Sequence, residues 1–430
     1  MRFNTLQQWL SWQESLHNKE IDLGLDRVRQ VYQQLHYPAF KIPVISVAGT
    51  NGKGSSVAML ASIYTQAGYR VGSYTSPHLL HYNERIRINQ QPVDDARLCD
   101  SFARIDKARA EISLTYFEFG TLAAFDIFHQ AESDGELDVI ILEVGLGGRL
   151  DVVNLLDADV MLITSIGLDH TDWLGDTREA IGFEKAGIMR SHKPVVYSDP
   201  DMPQSIQLHA DKIAAPLYRL GKEFNFEQRQ LDWQWSGENT LRTALPRPAL
   251  VGEHQYKNAA GALKVIELLS ARLPVSQAHV RQGLVDVRVD GRCQIIPVNQ
   301  SMGGQTLILD VAHNPDSVQC LAQLVAEMKS SGQVHALVGM MKDKALADSL
   351  QPMRELVDHW YIVKAPIERA AETAQLAAII GTFPAVSSTC FGQIAVAFSE
   401  MQLQAKKGDI LLVFGSFYTV AAILPSWISE

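Results

Sequence analysis

Apolar runs alternate with amphipathic segments along most of this chain. Largely apolar runs at residues 44–48, 138–143 and 158–164 predict buried strands. Segments with helical spacing lie between them, for example at residues 57–66 and 116–129. Because strands that are joined through helices run side by side in the same direction, the pattern predicts a parallel α/β sheet with crossover helices.

The first predicted strand runs into a glycine-rich turn at residues 49–55, which read Gly-Thr-Asn-Gly-Lys-Gly-Ser. Glycines allow backbone N–H groups to point around an anion, and a helix N-terminus adds partial positive charge. Lys53 has the length to reach the outer phosphates of a nucleotide. The spacing departs from the common G-x-x-x-x-G-K-[ST] pattern, because Gly54 separates Lys53 from Ser55. We predict a phosphate-binding loop of an unusual type.

The alternation of strands and helices resumes in the second half of the chain, after a region in which the periodicity is weaker. Aromatic residues and prolines between residues 200 and 250 predict short antiparallel strands, and helical pattern returns at residues 252–270 before it ends near residues 286–296. Strands are then predicted at residues 306–311, 334–338, 360–363 and 410–414. We therefore predict a two-domain α/β protein, with a P-loop ATPase-like parallel-sheet domain at residues 1–290 and a smaller Rossmann-like domain at residues 291–430.

Two N-terminal helices are predicted over residues 4–36, joined at residues 21–25. The later helix at residues 116–129 is apolar on most sides and carries Glu118. A buried carboxylate is costly unless it is paired. Glu118 therefore requires a partner, either from the protein or from a ligand.

A further short strand is predicted within residues 69–77 and ends in hydroxyl side chains, among them Ser76. Glu143 closes the predicted strand at residues 138–143, and His170 lies in the loop after the strand at residues 158–164. Parallel strands end at one edge of a sheet, which is where ligands bind. A triphosphate in the loop needs a divalent cation, and Ser76 and Glu143 are the natural oxygen ligands for it. Two interpretations of His170 stay open, a metal ligand and a hydrogen-bonded loop histidine.

Four further residues also have two interpretations. Lys185 on a short helix is either an ordinary solvated lysine or a functional cation. Asp310 and His313 are either nucleotide or substrate contacts or members of a helix N-cap network. Arg292 is either an exposed hinge arginine or a phosphate contact.

Composition narrows the class of protein. The 430 residues are 47% hydrophobic and 20% charged, which is typical of a globular protein that folds along its whole length. A net charge of −10 argues against non-specific nucleic-acid binding. No stretch has the length and apolarity of a membrane span, and the four cysteines lack C-x-x-C spacing. We expect free thiols and a cytoplasmic location. These observations leave the reaction open between ATP hydrolysis coupled to motion, phosphoryl transfer to a small molecule, and ATP-driven ligation.

A long ordered set of motifs resembles one family. The chain is similar to the folylpolyglutamate synthase/dihydrofolate synthase family of Mur-type ATP-dependent amide ligases, which carries Gly54 in its own variant of the loop. The motifs that carry the resemblance lie at residues 49–55, 74–78, 83–85, 142–151, 167–171, 184–187, 310–315 and 414–417. They occur in family order over about residues 20–420. The resemblance implies a Mur ligase central-type domain followed by a glutamate ligase domain.

The family's reaction proceeds through an acyl phosphate. A pteroate or folate carboxylate attacks the γ-phosphate of ATP, and the amine of L-glutamate then displaces phosphate to form an amide. The resemblance implies ATP and Mg²⁺, with a monovalent cation as a further candidate. It implies binding of dihydropteroate, reduced folates and L-glutamate. The mixed surface charge gives no sign of an obligate partner, so we expect a monomer, and from composition we expect binding to neither nucleic acid nor membrane.

The resemblance also assigns residues to this reaction. The implied catalytic residues are Lys53, His170 and Lys185, the last of which matches the family lysine that can be carbamylated. The implied metal ligands are Ser76, Glu143 and His170. The implied nucleotide contacts are Gly49, Thr50, Asn51, Gly52, Lys53, Gly54, Ser55, Asn258, Arg292 and Asp310. The implied substrate contacts are Asp22, Leu23, Gly24, Arg149, Asp151, His313 and Ser416.

Two other functions are weighed against this one. The first is another Mur-type ligase that acts on a nucleotide-linked cell-wall precursor. The segment at residues 22–25 argues against it, because this segment resembles the one that binds dihydropteroate in bifunctional bacterial members. The second is a nucleotide-dependent binding or motor protein, which the unusual loop spacing disfavours.

Overall fold

The computed structural model describes residues 2–297, 304–384 and 387–424. The chain forms two compact units. The first contains Met1–Ile166, Leu174–Ala249 and Tyr256–Val287. The second contains Gly167–Trp173, Leu250–Gln255 and Arg288–Glu430. Two short segments from the first part of the chain therefore belong to the second unit, which periodicity did not indicate.

The helices and strands follow the predicted alternation closely. Up to residue 287 they are α1 Leu6–Leu16, α2 Asp26–Gln34, β1 Val44–Ala48, α3 Lys53–Gln66, β2 Val71–Tyr74, β3 Ile86–Ile88, β4 Gln91–Pro92, α4 Asp95–Arg109, α5 Tyr116–Ser133, β5 Val139–Glu143, β6 Val160–Ile163, α6 Thr171–Leu174, α7 Arg178–Ala186, β7 Val195–Tyr197, α8 Gln204–Ile213, β8 Leu217–Arg219, β9 Asn225–Gln228, β10 Trp233–Ser236, β11 Leu241–Leu245, α9 His254–Leu268 and α10 Gln277–Asp286. From residue 288 they are β12 Gln294–Pro297, β13 Thr306–Asp310, α11 Pro315–Met328, β14 Val334–Val338, α12 Leu346–Leu350, β15 His359–Val363, α13 Thr373–Ile380, β16 Ser387–Phe391, α14 Ile394–Gln404, β17 Ile410–Phe414 and α15 Phe417–Ala421.

The main sheet of the first unit has the order β4-β3-β2-β5-β1-β6-β7-β8. Strands β2, β5, β1, β6, β7 and β8 are parallel, as predicted. Strands β3 and β4 run antiparallel to their neighbours, so the sheet is mixed at this edge. The turn between them has positive φ at Asn89 and Gln90, 52° and 66°, as two-residue hairpin turns require.

Strand β1 lies at the centre of this sheet and delivers the glycine-rich loop to its carboxyl edge. All five of its residues are buried, between β5 and β6. Helix α3 begins at Lys53, four residues earlier than helical spacing indicated (57 − 53 = 4). The structural reason is Gly52, whose φ of 87° turns the chain directly into the helix.

The segment after α8 forms the predicted antiparallel strands. They make a three-stranded sheet of order β11-β10-β9, in which Trp233 and Trp235 are fully buried. The side chains of these two residues anchor the small sheet to the rest of the first unit. The Trp235 indole N–H donates to the Ala260 carbonyl of α9 at 3.1 Å.

The second unit is built on a six-stranded sheet of order β12-β13-β17-β14-β15-β16. Its four central strands were predicted, whereas β12 and β16 were not. Strand β16 reads Ser-Ser-Thr-Cys-Phe and is largely exposed, so it lacks the apolar signal of a buried strand. Strand β12 pairs antiparallel with β13 and makes this sheet mixed as well.

Candidate active site

The loop after β1 is closely packed on two sides. A Cβ on Gly49 would lie 1.7 Å from Thr164 Oγ1, and one on Gly52 would lie 2.4 Å from Asn258 Oδ1. The Thr164 hydroxyl donates to the Asn51 carbonyl at 2.6 Å. The end of β6 and helix α9 thus hold the loop in one conformation, and side chains at these glycines would destroy it.

This packing predicts that Gly52→Ala raises the KM for ATP about tenfold or more, because a left-handed φ costs an alanine roughly 1–2 kcal/mol and the new methyl group meets Asn258. Gly68→Ala is the matched control. Gly68 also has φ 87°, but a Cβ there meets nothing within 4 Å. Steady-state kinetics and thermal unfolding of both variants check this, and an equal rise of the ATP KM in both would contradict it.

Two lysine side chains converge on the start of the loop. Lys53 Nζ donates to the Gly49 carbonyl at 3.0 Å and to the Thr50 carbonyl at 3.2 Å. Lys185 Nζ donates to the same Gly49 carbonyl at 2.8 Å. Lys185 is only 4% exposed, so the expectation of an ordinary solvated lysine is wrong. Two ammonium groups beside backbone N–H groups make this loop suited to an anion of high charge.

Ser76 and Glu143 lie together at the carboxyl ends of adjacent strands β2 and β5. The Ser76 N–H donates to Glu143 Oε2 at 3.2 Å. The Glu143 side chain is buried and lies against the loop, since a Cβ on Gly54 would be 3.6 Å from Oε2. A carboxylate and a hydroxyl beside a phosphate loop are the hard oxygen donors that Mg²⁺ takes together with phosphate oxygens and water.

Within residues 2–297, 304–384 and 387–424, no group of three or more His, Cys, Asp or Glu side chains is arranged to hold a metal.

Asp151 holds the glycine-rich loop that follows β5. Its Oδ2 accepts the Leu146 N–H at 2.8 Å and its Oδ1 accepts the Val153 N–H at 2.9 Å. Burial raises the pKa of Asp151 to about 6, against the effect of these hydrogen bonds. Arg149 is half-exposed in the same loop and pairs with Glu184 at 2.9 Å. Asp151 therefore fixes the conformation of the loop, and Arg149 is the charged side chain of this loop that solvent can reach.

The Asp22 carboxylate, in the predicted substrate segment, forms an ion pair with Arg27 at 2.8 Å and accepts a hydrogen bond from Lys19 at 3.2 Å. Arg27 also pairs with Glu118 at 2.8 Å, which gives Glu118 the partner that its burial requires. Sequence reasoning did not identify Arg27, because the two residues are 91 positions apart and no local pattern links them.

Asp169 organises the candidate residues of the second unit. Its carboxylate lies 2.6 Å from Lys344 Nζ, 3.1 Å from Asn314 Nδ2 and 3.6 Å from His313 Nε2. It also accepts the backbone N–H of His170 at 2.9 Å. Burial alone raises the pKa of Asp169, but the His313 hydrogen bond and the charges of Lys344 and His170 outweigh it and hold the pKa well below its usual range. Sequence reasoning placed His170 and His313 as candidates and missed Asp169 and Lys344.

The other second-unit candidates are held mainly by backbone groups. Asp310 accepts the N–H groups of Cys293 and Ala312, both at 2.6 Å. Ser416 caps α15 by accepting the Thr419 N–H at 3.1 Å. The Arg292 guanidinium lies over the Phe417 ring at 5.2 Å.

Arg85 is a further residue to which sequence reasoning assigned no role. It is 8% exposed, and its Nε donates to His78 Nδ1 at 2.9 Å. Burial and the Arg85 charge lower the pKa of His78 to about 4, so this histidine is a neutral acceptor.

Two general expectations from composition concern the cysteines and membrane-spanning helices. All four cysteines are free thiols, as expected. Among the described residues, no helix combines the length and the apolarity needed to cross a membrane.

Comparison with known proteins gives matches over nearly the whole chain. Residues 47–266 match the Mur ligase middle domain, and residues 291–417 match the Mur ligase glutamate ligase domain. The chain is 43% identical to the dihydrofolate synthase/folylpolyglutamate synthase of Escherichia coli (strain K12), over 97% of this chain and 94% of that protein.

Solved structures agree with the sequence matches. The structure is similar to E. coli FolC in complex with DHPP and ADP, with a TM-score of 0.91 and 43% identity over 99% of this chain and 98% of that one. It is also similar to a bifunctional folylpolyglutamate synthase/dihydrofolate synthase with Mn, AMPPNP and L-glutamate bound. The TM-score is 0.88 and the identity 44%, over 98% of each chain.

Proposed function

Because this chain belongs to the dihydrofolate synthase/folylpolyglutamate synthase family of Mur ligases, we propose that it joins L-glutamate to 7,8-dihydropteroate and to reduced folates, with cleavage of ATP. The observation that carries the proposal is the buried Glu143 carboxylate beside Ser76 at the phosphate loop, with the ammonium groups of Lys53 and Lys185 on the Gly49 carbonyl.

The reaction has two steps. A carboxylate oxygen of the acceptor attacks the γ-phosphorus of ATP, the bond to the bridging oxygen breaks, and ADP leaves. The amine of L-glutamate then attacks the acyl carbon of the acyl phosphate, inorganic phosphate leaves, and the nitrogen loses a proton. Both steps develop negative charge on phosphoryl oxygens, so stabilising that charge is the main task of the residues around the loop.

The loop residues bind the nucleotide. The backbone N–H groups of residues 49–55 surround the phosphates, and Lys53 turns from the Gly49 and Thr50 carbonyls to the transferred phosphoryl group. Asn258, which contacts Gly52, supports the nucleotide end of the loop. Arg292 and Asp310 of the second unit stay predicted nucleotide contacts.

Ser76 and Glu143 hold the divalent cation, which when bound offsets phosphoryl charge as a Lewis acid. The assignment of His170 as a further ligand stays a prediction from family resemblance, as does carbamylation of Lys185. Carbamylation would replace the Lys185 ammonium, now on the Gly49 carbonyl, by a carboxylate-like group. Mass spectrometry of the intact protein with and without added bicarbonate tests it.

The substrate-binding residues complete the proposal. Dihydropteroate is bound by the Asp22–Leu23–Gly24 segment and by Arg149 in the loop that Asp151 shapes. The L-glutamate side is assigned to His313 and Ser416. We propose a monomer that takes only these small molecules as partners, and a dependence of the rate on K⁺ would add the monovalent cation.

Product formation from dihydropteroate and from tetrahydrofolate tests the function directly. With ATP, Mg²⁺ and L-glutamate, we expect dihydrofolate from the first acceptor and folylpolyglutamates from the second. No dihydrofolate would remove the first activity. ATP cleavage that does not depend on L-glutamate would favour the motor class, and turnover of a nucleotide-linked cell-wall precursor would favour another Mur-type ligase.

A further inference from the structure

Arg27 links the Asp22–Leu23–Gly24 segment to the buried helix α5. One nitrogen of its guanidinium, Nη2, donates to Glu118 Oε1 at 2.8 Å and to the Asp22 carbonyl at 3.4 Å, and it forms an ion pair with Asp22 Oδ2 at 2.8 Å. The Asp22 side chain is 29% exposed, whereas that of Glu118 is 3% exposed. A single arginine therefore joins an accessible carboxylate to a buried one.

The other side of the guanidinium is held as well. Nη1 donates to the Ser113 carbonyl at 3.3 Å and lies 3.3 Å from His17 Nδ1. Because the guanidinium is planar and its donors have fixed directions, contacts on both sides determine its orientation. Because Arg27 contacts Asp22, its fixed orientation also fixes the position of the Asp22–Leu23–Gly24 segment.

Glu118 is itself fixed to the start of α5. Its Oε2 accepts the Thr115 N–H at 2.7 Å, and the Thr115 hydroxyl accepts the Glu118 N–H at 3.2 Å. This capping box ties the carboxylate to the helix N-terminus. Burial raises the pKa of Glu118, and the Thr115 hydrogen bonds and the Arg27 charge act against the rise. Arg27 thus has a rigid, buried anchor.

The same turn of α5 also supports the second substrate segment. A Cβ on Gly145 would lie 2.4 Å from the ring of Phe117, so the loop that runs from Gly145 to Asp151 is packed directly on this turn. One helix N-terminus therefore sets the positions of both segments that the proposed function assigns to dihydropteroate.

We propose that Arg27 and Glu118 are positioning residues for dihydropteroate, which hold the Asp22–Leu23–Gly24 segment at a fixed place relative to α5. The inference rests on the proposed function, since that function assigns dihydropteroate to the segment. Neither residue needs to touch the substrate. If the Arg27–Glu118 pair had only a structural role, it would stabilise the fold without favouring one substrate. The structural role and the positioning role therefore predict different kinetic results.

The test uses Glu118→Gln, which keeps the size of the side chain and removes its charge. We expect the KM for dihydropteroate to rise about tenfold, because a charge-assisted hydrogen bond that orients the segment is lost. The KM values for ATP and L-glutamate and the kcat stay within about twofold. Arg29→Gln is the matched control, since Arg29 lies on the same helix and forms an exposed pair with Asp26 at 3.1 Å.

Arg27→Lys provides a second variant that keeps the positive charge but not the planar fork. It is expected to raise the KM for dihydropteroate by a similar factor, and the double variant is expected to add little to either change. Backbone amide hydrogen exchange at residues 22–24 is expected to become faster in both variants, while exchange in β1 and α3 is unchanged. The exchange experiment needs no substrate and reports the segment directly.

The outcomes separate the two proposals. Wild-type protein that does not ligate dihydropteroate overturns the proposed function. Active wild type in which both variants keep the KM for dihydropteroate and the exchange at residues 22–24 overturns the positioning role alone. A parallel rise of the KM values for dihydropteroate and ATP, together with a lower Tm, also overturns it, because a merely structural role of the Arg27–Glu118 pair predicts that pattern.

Discussion

Lys53→Ala is expected to abolish both ligations while the protein stays folded. The ammonium group is the positive side-chain charge of the phosphate loop, and removing one group that stabilises developing charge typically costs roughly 100- to 1,000-fold in kcat. In the structure its hydrogen bonds are to the Gly49 and Thr50 carbonyls, which hold it beside the position of the phosphates. Rates of dihydrofolate and folylpolyglutamate formation measure the loss.

The stability of the fold depends much less on the Lys53 side chain than the two ligation rates do. Each hydrogen bond contributes about 1 kcal/mol to stability, and loss of Lys53 also removes a like charge from the neighbourhood of Lys185 Nζ. We therefore expect a Tm within a few degrees of wild type. Lys41→Ala, an exposed lysine just before β1, is the control and should leave both rates unchanged. Retained ligation in Lys53→Ala would remove this residue from the mechanism.

The parts of the fold that were predictable are those with continuous apolar runs. Strands β1, β5 and β6 are buried on both faces, so they are apolar apart from Ser46 inside β1 and Glu143 at the end of β5. Because parallel strands end at one edge of a sheet, the sequence also placed Glu143, and Ser76 after β2, at that edge. The two-residue strand β4 and the exposed strand β16 were not predicted, because neither has a continuous apolar run.

The parts of the site that were not predictable depend on contacts between distant residues. Helix α7 is amphipathic, and its sequence alone does not say that Lys185 lies under the Gly49 carbonyl, 136 positions away. The burial of Glu118 indicated that a partner was needed, but only the folded chain identifies Arg27. Asp169 was not identified for the same reason, since its role follows from its contacts with His313 and Lys344, which are distant in sequence.

Glu143→Gln is expected to lower both ligation rates by roughly 1,000-fold through loss of the divalent cation. The amide keeps the shape of the side chain and can still accept the Ser76 N–H, so the end of β5 stays in place. What it lacks is the negative charge, and a hard cation binds a neutral amide oxygen beside phosphates far less well than a carboxylate. A loss of this size equals about 4 kcal/mol of transition-state stabilisation.

Metal binding and thermal unfolding separate this loss from a loss of structure. Mn²⁺ titrated in the presence of a non-hydrolysable ATP analogue is expected to bind wild type and Glu136→Gln alike, and Glu143→Gln at least tenfold more weakly. Glu136 is a suitable control because its exposed carboxylate pairs with Arg97. Ligand that binds only the folded state at about 100 times its Kd adds roughly 2.7 kcal/mol, so nucleotide and metal together raise the Tm of wild type. In Glu143→Gln that rise should shrink while the Tm without ligand is kept; an undiminished rise would mean that another residue holds the cation.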